Sequence, residues 1–288
     1  MTICNACRYC EGYCAVFPAM ERRITFSDAD LNYLANLCHN CTACLDACQY
    51  APPHEFAVDV PRVLAEIREE SYRHYSFPHW YGGPVALILA ISIAAFLFAA
   101  SRLNHATMTA VFGTAAIVVV GLMAGGFMRF WKESQGSLNP TGLRYALTLK
   151  YLDKKDGRRV FHHLTFYGFL LCFAATSVAA FYHYFLSFEA PYGYFSVPVV
   201  LGTLGGIGLL IGTAGLFAVK RTGSSFLVLL FLTSLTGLLL LALRQTPAAR
   251  PVLAIHLGTV LTLFVTMPYG KFVHGIYRLG ALLVGPAD

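Results

Sequence analysis

From residue 82 onward the chain is a succession of long apolar runs separated by short polar links. The runs fall at about 82–101, 107–128, 161–187, 197–219, 226–243 and 252–273. Each is close to the roughly 20 residues that a helix needs to cross about 30 Å of hydrocarbon. Residues 1–75 contain no such run. Within this head, Val60, Val63, Leu64 and Ile67 recur at helical spacing over 58–72, after Pro52–Pro53. The pattern predicts an all-α chain, with a helical head over 1–75 and a six-helix transmembrane bundle over 76–288. An even number of spans puts both termini on one side.

Composition agrees with a membrane protein. The chain is 57% hydrophobic and 12% charged, with a mean hydropathy of +0.58, whereas soluble domains are about a quarter charged. The charge is unevenly placed. Residues 1–75 hold ten acidic and six basic side chains, and the remainder holds five and fifteen. The basic excess lies between apolar spans, so it marks loop orientation and not nucleic-acid binding. The link 129–160 carries eight Lys or Arg, among them Lys154, Lys155, Arg158 and Arg159, and the link 188–196 carries none. Short cytoplasmic loops collect such charges. The head and the C-terminus are therefore expected in the cytoplasm, although Arg244 and Arg250 on the other side weaken the bias. No apolar signal segment precedes Cys4, which agrees.

Eight of the nine cysteines lie before Gln49, as Cys4, Cys7, Cys10, Cys14 and as Cys38, Cys41, Cys44, Cys48. A reducing cytoplasm disfavours disulfides and leaves metal binding. Both runs have the spacing C-x2-C-x2-C-x3-C. Zinc sites are usually built from separated C-x2-C pairs. A triplet with a fourth cysteine after three further residues suits a four-iron–four-sulfur cluster, and in two-cluster ferredoxins that fourth cysteine ligates the other cluster. The expected ligand sets are Cys4, Cys7, Cys10 and Cys48 for one [4Fe-4S] cluster, and Cys14, Cys38, Cys41 and Cys44 for the second. Ala15 and Gln49 stand where bacterial runs have proline. The stretch between Cys14 and Cys38 leaves room for a helix, as in helical dicluster ferredoxin domains. Cys172, inside the third span, reads as a small apolar packing residue.

Histidines inside a membrane usually mark function. His162, His163 and His183 bracket the third span, and His256 and His274 bracket the sixth. On one continuous helix His256 and His274 share a face about 27 Å apart, and His162 and His183 lie about 60° off a common face. Facing histidines on two helices can hold a six-coordinate haem. His162, His183, His256 and His274 are the expected haem b ligands. His163 is an alternative to His162, and one haem or two remain open. Solvated or hydrogen-bonding roles are expected for His39, His54, His74 and His79, the last beside Trp80 and Tyr81 at the membrane boundary where a quinone would collect electrons. No G-x-G-x-x-G loop opens a helix after a strand. Gly202, Gly205, Gly206 and Gly208 read as close helix packing.

The runs CNACRYCEGYCAVFPAMERR, CHNCTACLDACQYAPPHEF and FHHLTFYGFLLCFAATSVAAFYHY resemble the tricarballylate or citrate utilisation protein B family over nearly the whole chain. That resemblance implies an iron–sulfur and haem b electron-transfer subunit in the bacterial inner membrane. It implies a partner flavoprotein that converts tricarballylate to cis-aconitate, with electrons passing to the quinone pool. Substrate oxidation then lies on the partner. A heterodisulfide-reductase-like enzyme would need further cysteine motifs, and a redox-regulated transporter would need intramembrane charges.

Overall fold

The structure is a computed structural model that describes residues 1–99, 104–134, 138–152, 157–219 and 224–284. Among the described residues all regular structure is helical. The helices of the N-terminal stretch are α1 (Thr2–Cys7), α2 (Val16–Glu21), α3 (Asp28–Leu37), α4 (Ala43–Asp46) and α5 (Val60–Tyr75). There follow α6 (Val85–Ala99), α7 (His105–Glu133), α8 (Thr141–Thr148), α9 (Arg158–Leu186), α10 (Val197–Val219), α11 (Ser225–Leu243), α12 (Ala249–Thr266) and α13 (Val273–Val284). The chain divides into two compact units. One comprises Met1–Gly83, Ala116–Asp153 and Thr266–Asp288; the other comprises Pro84–Ala115 and Lys154–Val265. The unit holding the head thus extends well beyond residue 75.

In the first unit, local sequence starts each of the longer head helices. Ser27 caps α3 by accepting from Asp30 N–H at 3.2 Å, while the Asp30 carboxylate accepts from Ser27 N–H at 3.1 Å. This reciprocal pair satisfies two otherwise orphaned donors. Asp59 caps α5, with Pro61 in the first turn, where its missing N–H costs nothing. The core joins Val16, Phe17 and Met20 of α2, Leu34 and Leu37 of α3, and Leu64 and Tyr72 of α5. Phe130 of α7 and Val273, Tyr277 and Ala281 of α13 complete it. The last helix therefore closes the head. A Cβ on Gly142 of α8 would meet the Leu282 carbonyl at 2.2 Å, so only glycine lets α8 lie against α13.

In the second unit, α9 and α10 lie closest. A Cβ at Gly205 would meet Cys172 N and Sγ at 2.8 Å, and one at Gly212 would meet Thr165 N at 2.6 Å. Small residues bring the two backbones together where the hydrophobic effect cannot discriminate helix from lipid. Cys172 is a packing residue of this seam. Gly206 faces Leu238 of α11. Gly258 of α12 sits against the backbone of Ile93 in α6.

Among the described residues five helices are long and apolar enough to cross a membrane: α7, α9, α10, α11, and α12 with the turn that follows it to Tyr269. The hydropathy pattern predicts six. The sixth candidate, α6, has 15 residues, about 22 Å of helix at 1.5 Å per residue, and residues 100–103 lie outside the described residues. Lys154 and Lys155 of the basic link do so too. The last apolar run also differs. It is not one helix over 252–273: α12 ends at Thr266, Met267–Tyr269 form a 3-10 turn around Pro268, and Gly270 is extended before α13 begins. Proline has no N–H to continue the ladder and clashes with the preceding turn.

Candidate metal centres

Cys4 and Cys7 lie on α1, and Cys10 on the turn after it. Cys48 arrives from the turn after α4. These four line one cleft, partly open to solvent, together with Arg8, Tyr9, Phe17, Gln49 and Tyr50. The cleft thus takes three cysteines from the first run and the last from the second. The other four are Cys38 at the end of α3, Cys41, Cys44 on α4, and Cys14 just before α2. The charges of Cys14, Cys38 and Cys41 all act on Cys44. So does that of Cys10, which makes the two sets neighbours.

The chain adopts the same strained conformation in both runs. Arg8, after Cys7, has φ 55°, and Thr42, after Cys41, has φ 63°. Left-handed non-glycine residues cost about 1–2 kcal/mol each and persist where surrounding structure imposes them, often at functional sites. Asn40 N–H donates to Cys38 Sγ at 3.3 Å, and the Gln49 side-chain amide donates to Cys7 Sγ at 3.6 Å. Such donors stabilise thiolate sulfur. The glutamine that replaces the expected proline therefore has its own contact to a candidate ligand.

Burial pushes the Cys14 thiol up to about 12; the Val16 N–H pulls it back, and the charges of Cys38 and Cys41 push it further. Burial likewise pushes Cys10 up to about 11, with Cys48, Cys4 and Cys7 adding to the shift. Cys4 and Cys44 are raised, first by burial. A set of thiols that resists ionisation so strongly needs bound cations to hold it as thiolates. Among the described residues no three His, Cys, Asp or Glu side chains converge tightly enough for a single metal ion. Four sulfurs around zinc sit about 2.3 Å from one atom; the thiolates of a cubane each hold a different iron and stand farther apart.

The histidines fall in different surroundings. His256 lies half-buried on α12, with Nδ1 2.9 Å from the Thr236 hydroxyl of α11. That hydroxyl gives its hydrogen to the Leu232 carbonyl at 2.7 Å, so it accepts from Nδ1–H. The Nε2 lone pair of His256 is then directed away and available to a metal, the usual outer-sphere arrangement for a ligating histidine. A Cβ on Gly237 would meet the His256 ring at 3.1 Å, so glycine keeps room around the imidazole. These residues fit a haem ligand.

His183, at the end of α9, is packed on His105 of α7, ring centroids 3.7 Å apart. His105 is missed by a reading confined to the third and sixth runs, although its place at the start of an apolar helix was visible. His162 is half-buried in the first turns of α9, and His163 is stacked on Tyr167 with centroids 5.8 Å apart. His274 belongs to the first unit, at the start of α13, where Nδ1 lies 2.8 Å from the Tyr72 hydroxyl. The helix break after Thr266 removes the common face that a continuous helix would give His256 and His274. His54 packs between Tyr50 and Phe56, His74 pairs with Glu133 at 3.3 Å, and His79 bonds to backbone carbonyls.

A model of the citrate utilization protein B Fer4-like domain matches residues 1–74, and a model of citrate utilization protein B matches residues 84–287. Citrate utilization protein B of Escherichia coli is 49% identical, over 98% of this chain and 89% of that protein. No solved structure matches.

Proposed function

The chain belongs to the citrate utilization protein B family, and on that basis we propose that it is a membrane-bound electron-transfer protein. In this reading it takes electrons from a partner flavoprotein dehydrogenase resembling tricarballylate dehydrogenase. It conducts them by two [4Fe-4S] clusters and haem b to the quinone pool of the bacterial inner membrane. Its head and C-terminus face the cytoplasm. When bound, the clusters and haem supply single-electron carriage without proton chemistry of their own.

The observation that carries this reading is the exchange of the fourth cysteine. Cys48 joins Cys4, Cys7 and Cys10 in one cleft, while Cys14 acts with Cys38, Cys41 and Cys44. Each run thus gives its fourth cysteine to the other centre, the arrangement of two-cluster ferredoxins. Cys4, Cys7, Cys10 and Cys48 hold the outer centre, and its rim residue Tyr9 is 64% exposed, which suits docking of a flavoprotein. Cys14, Cys38, Cys41 and Cys44 hold the inner centre, against the helix that carries His274. His256, oriented by Thr236, supplies one haem ligand, and His162 or His163, His183 and His274 are the further candidates.

Purification in detergent with metal analysis and optical and EPR spectra tests the scheme. About eight non-haem iron per chain, reduced-cluster EPR signals and a haem b α-band after dithionite are expected. No α-band would remove the haem and with it the transmembrane half of the path. Fewer than eight iron would remove a cluster.

A further inference from the structure

Arg278 lies on α13 and is 6% exposed. Its Nη1 is buried with no hydrogen-bond partner. Among the described residues no carboxylate pairs with it. A buried guanidinium left this way is costly unless something anionic answers it. Its neighbours on α13, Tyr277 and Ala281, share one core with the buried Cys38, and Cys14 and Cys44 pack against that core; the charges of Cys14, Cys38 and Cys41 and of the like-charged Arg68 reach the guanidinium. Arg68 is equally buried, but its own Nη1 is spent on the carbonyls of Ala35 and Cys38, at 2.8 and 3.3 Å. Two buried cations therefore flank the inner set of cysteines. One is satisfied by backbone; the other lies within reach of the thiolate charges with a donor to spare.

Among the described residues the outer set has no buried arginine; the cation acting on Cys4 is the Met1 ammonium, which is only partly buried. Arg8, in its cleft, is solvent-exposed and turned to the Asn5 carbonyl. The asymmetry concerns charge. A cubane held by four thiolates is anionic, and adding one electron makes it more so. A fixed buried cation favours that reduced state, and so does an N–H donated to its sulfur.

Resting on the two-cluster reading above, we propose that Arg278 is a positioning residue for electron transfer. Its buried positive charge raises the reduction potential of the centre held by Cys14, Cys38, Cys41 and Cys44 above that of the outer centre, and so sets the direction of transfer inward. The step is one electron gained by the inner centre and one lost by the outer, with no bond made and no proton moved. An arginine guanidinium is a cation at neutral pH.

The test is an EPR-monitored redox titration of the full-length, iron-loaded protein. In Arg278→Gln the midpoint of one centre should fall, so that at fixed potential its reduced-to-oxidised ratio drops about tenfold, or roughly 59 mV for one electron. The other midpoint should stay in place, and Arg278→Lys should restore most of the loss. Unmoved midpoints in Arg278→Gln with eight iron still bound would overturn the proposal. A second measurement does not need that variant to fold. In the otherwise native protein, Cys41→Ser and Cys10→Ser each perturb one centre. The higher-potential signal should be the one moved by Cys41→Ser; if Cys10→Ser moves it, the proposal is wrong. Absence of cluster signals from the native protein would instead sink the two-cluster reading itself.

Discussion

The hydroxyl of Tyr72 lies 2.8 Å from Nδ1 of His274, although 202 positions separate them in the chain. Tyr72 is 4% exposed, and its ring stacks on Tyr277 with centroids 5.4 Å apart. This contact ties the last helix of the head to the C-terminal helix. It places a candidate haem ligand against the same core that carries the cysteines. Tyr72→Phe should keep the packing and remove the bond. Losing such an outer-sphere partner typically costs 10–100-fold in affinity. If His274 is a ligand, haem per protein should fall, or the α-band should shift, while iron in the head stays constant.

The exchange of fourth cysteines makes an uneven set of double variants. Cys48→Ala combined with Cys4→Ala removes two ligands from one centre. Combined with Cys38→Ala it removes one from each. The first pair should lose about four of eight iron, and the second should approach complete loss. Metal analysis on purified protein distinguishes them. The reverse order, with more iron lost from the first pair than from the second, would mean that each run serves its own centre.

His256→Ala should abolish binding of at least one haem, measured as haem per chain in the denatured pigment. Thr236→Val leaves the volume but removes the acceptor for Nδ1–H. It should weaken retention of that haem roughly tenfold or more. Gly237→Leu should also reduce haem, because its side chain enters the space beside the imidazole. Full haem content in all three would exclude His256 as a ligand.

Iron removal should expose a pH dependence. Burial raises Cys14 to about 12 and Cys10 to about 11, from an ordinary value near 9. For a thiol the raised folded value means that the folded head prefers the neutral form. The stabilisation is fully present below about pH 9 and is lost as pH rises through the folded values. The melting temperature of apoprotein in detergent should therefore fall between about pH 9 and about pH 12. It should fall less in Cys14→Ala, and less again when iron holds the thiolates.

The seam between α9 and α10 should tolerate little added volume. Gly205→Val places atoms where Cys172 already lies 2.8 Å from a Cβ. Overpacking of this kind costs about 1–3 kcal/mol. A lower melting temperature in detergent is expected, with cluster iron unchanged because the head belongs to the other compact unit.

Much of the head is legible in local sequence. The repeated C-x2-C-x2-C-x3-C spacing proposes both ligand sets before any coordinate, because short loops allow few ways for thiols to surround one group. The stretch between the two runs holds α2 and α3, and Ser27 and Asp30 mark where the second begins. The glycines at 205, 206 and 208 announce close helix contact, and at Gly205 nothing larger fits.

Other features depend on distant partners. Hydropathy locates the run ending near residue 273, but not that Pro268 ends its helix early. A window average cannot see where a backbone ladder breaks. His105 gains interest only when α7 brings it to His183. Arg278 carries no signal in the sequence; folding buries it in the core that also holds Cys38 from the opposite end of the chain. The all-helical class, the apolar spans and the cysteine chemistry could be read from residue order alone, since periodicity, hydropathy and ligand spacing are local properties of a chain. That α13 closes the head, which histidines have partners and where the buried charge lies came only with the folded molecule, since burial and pairing belong to the whole packed core.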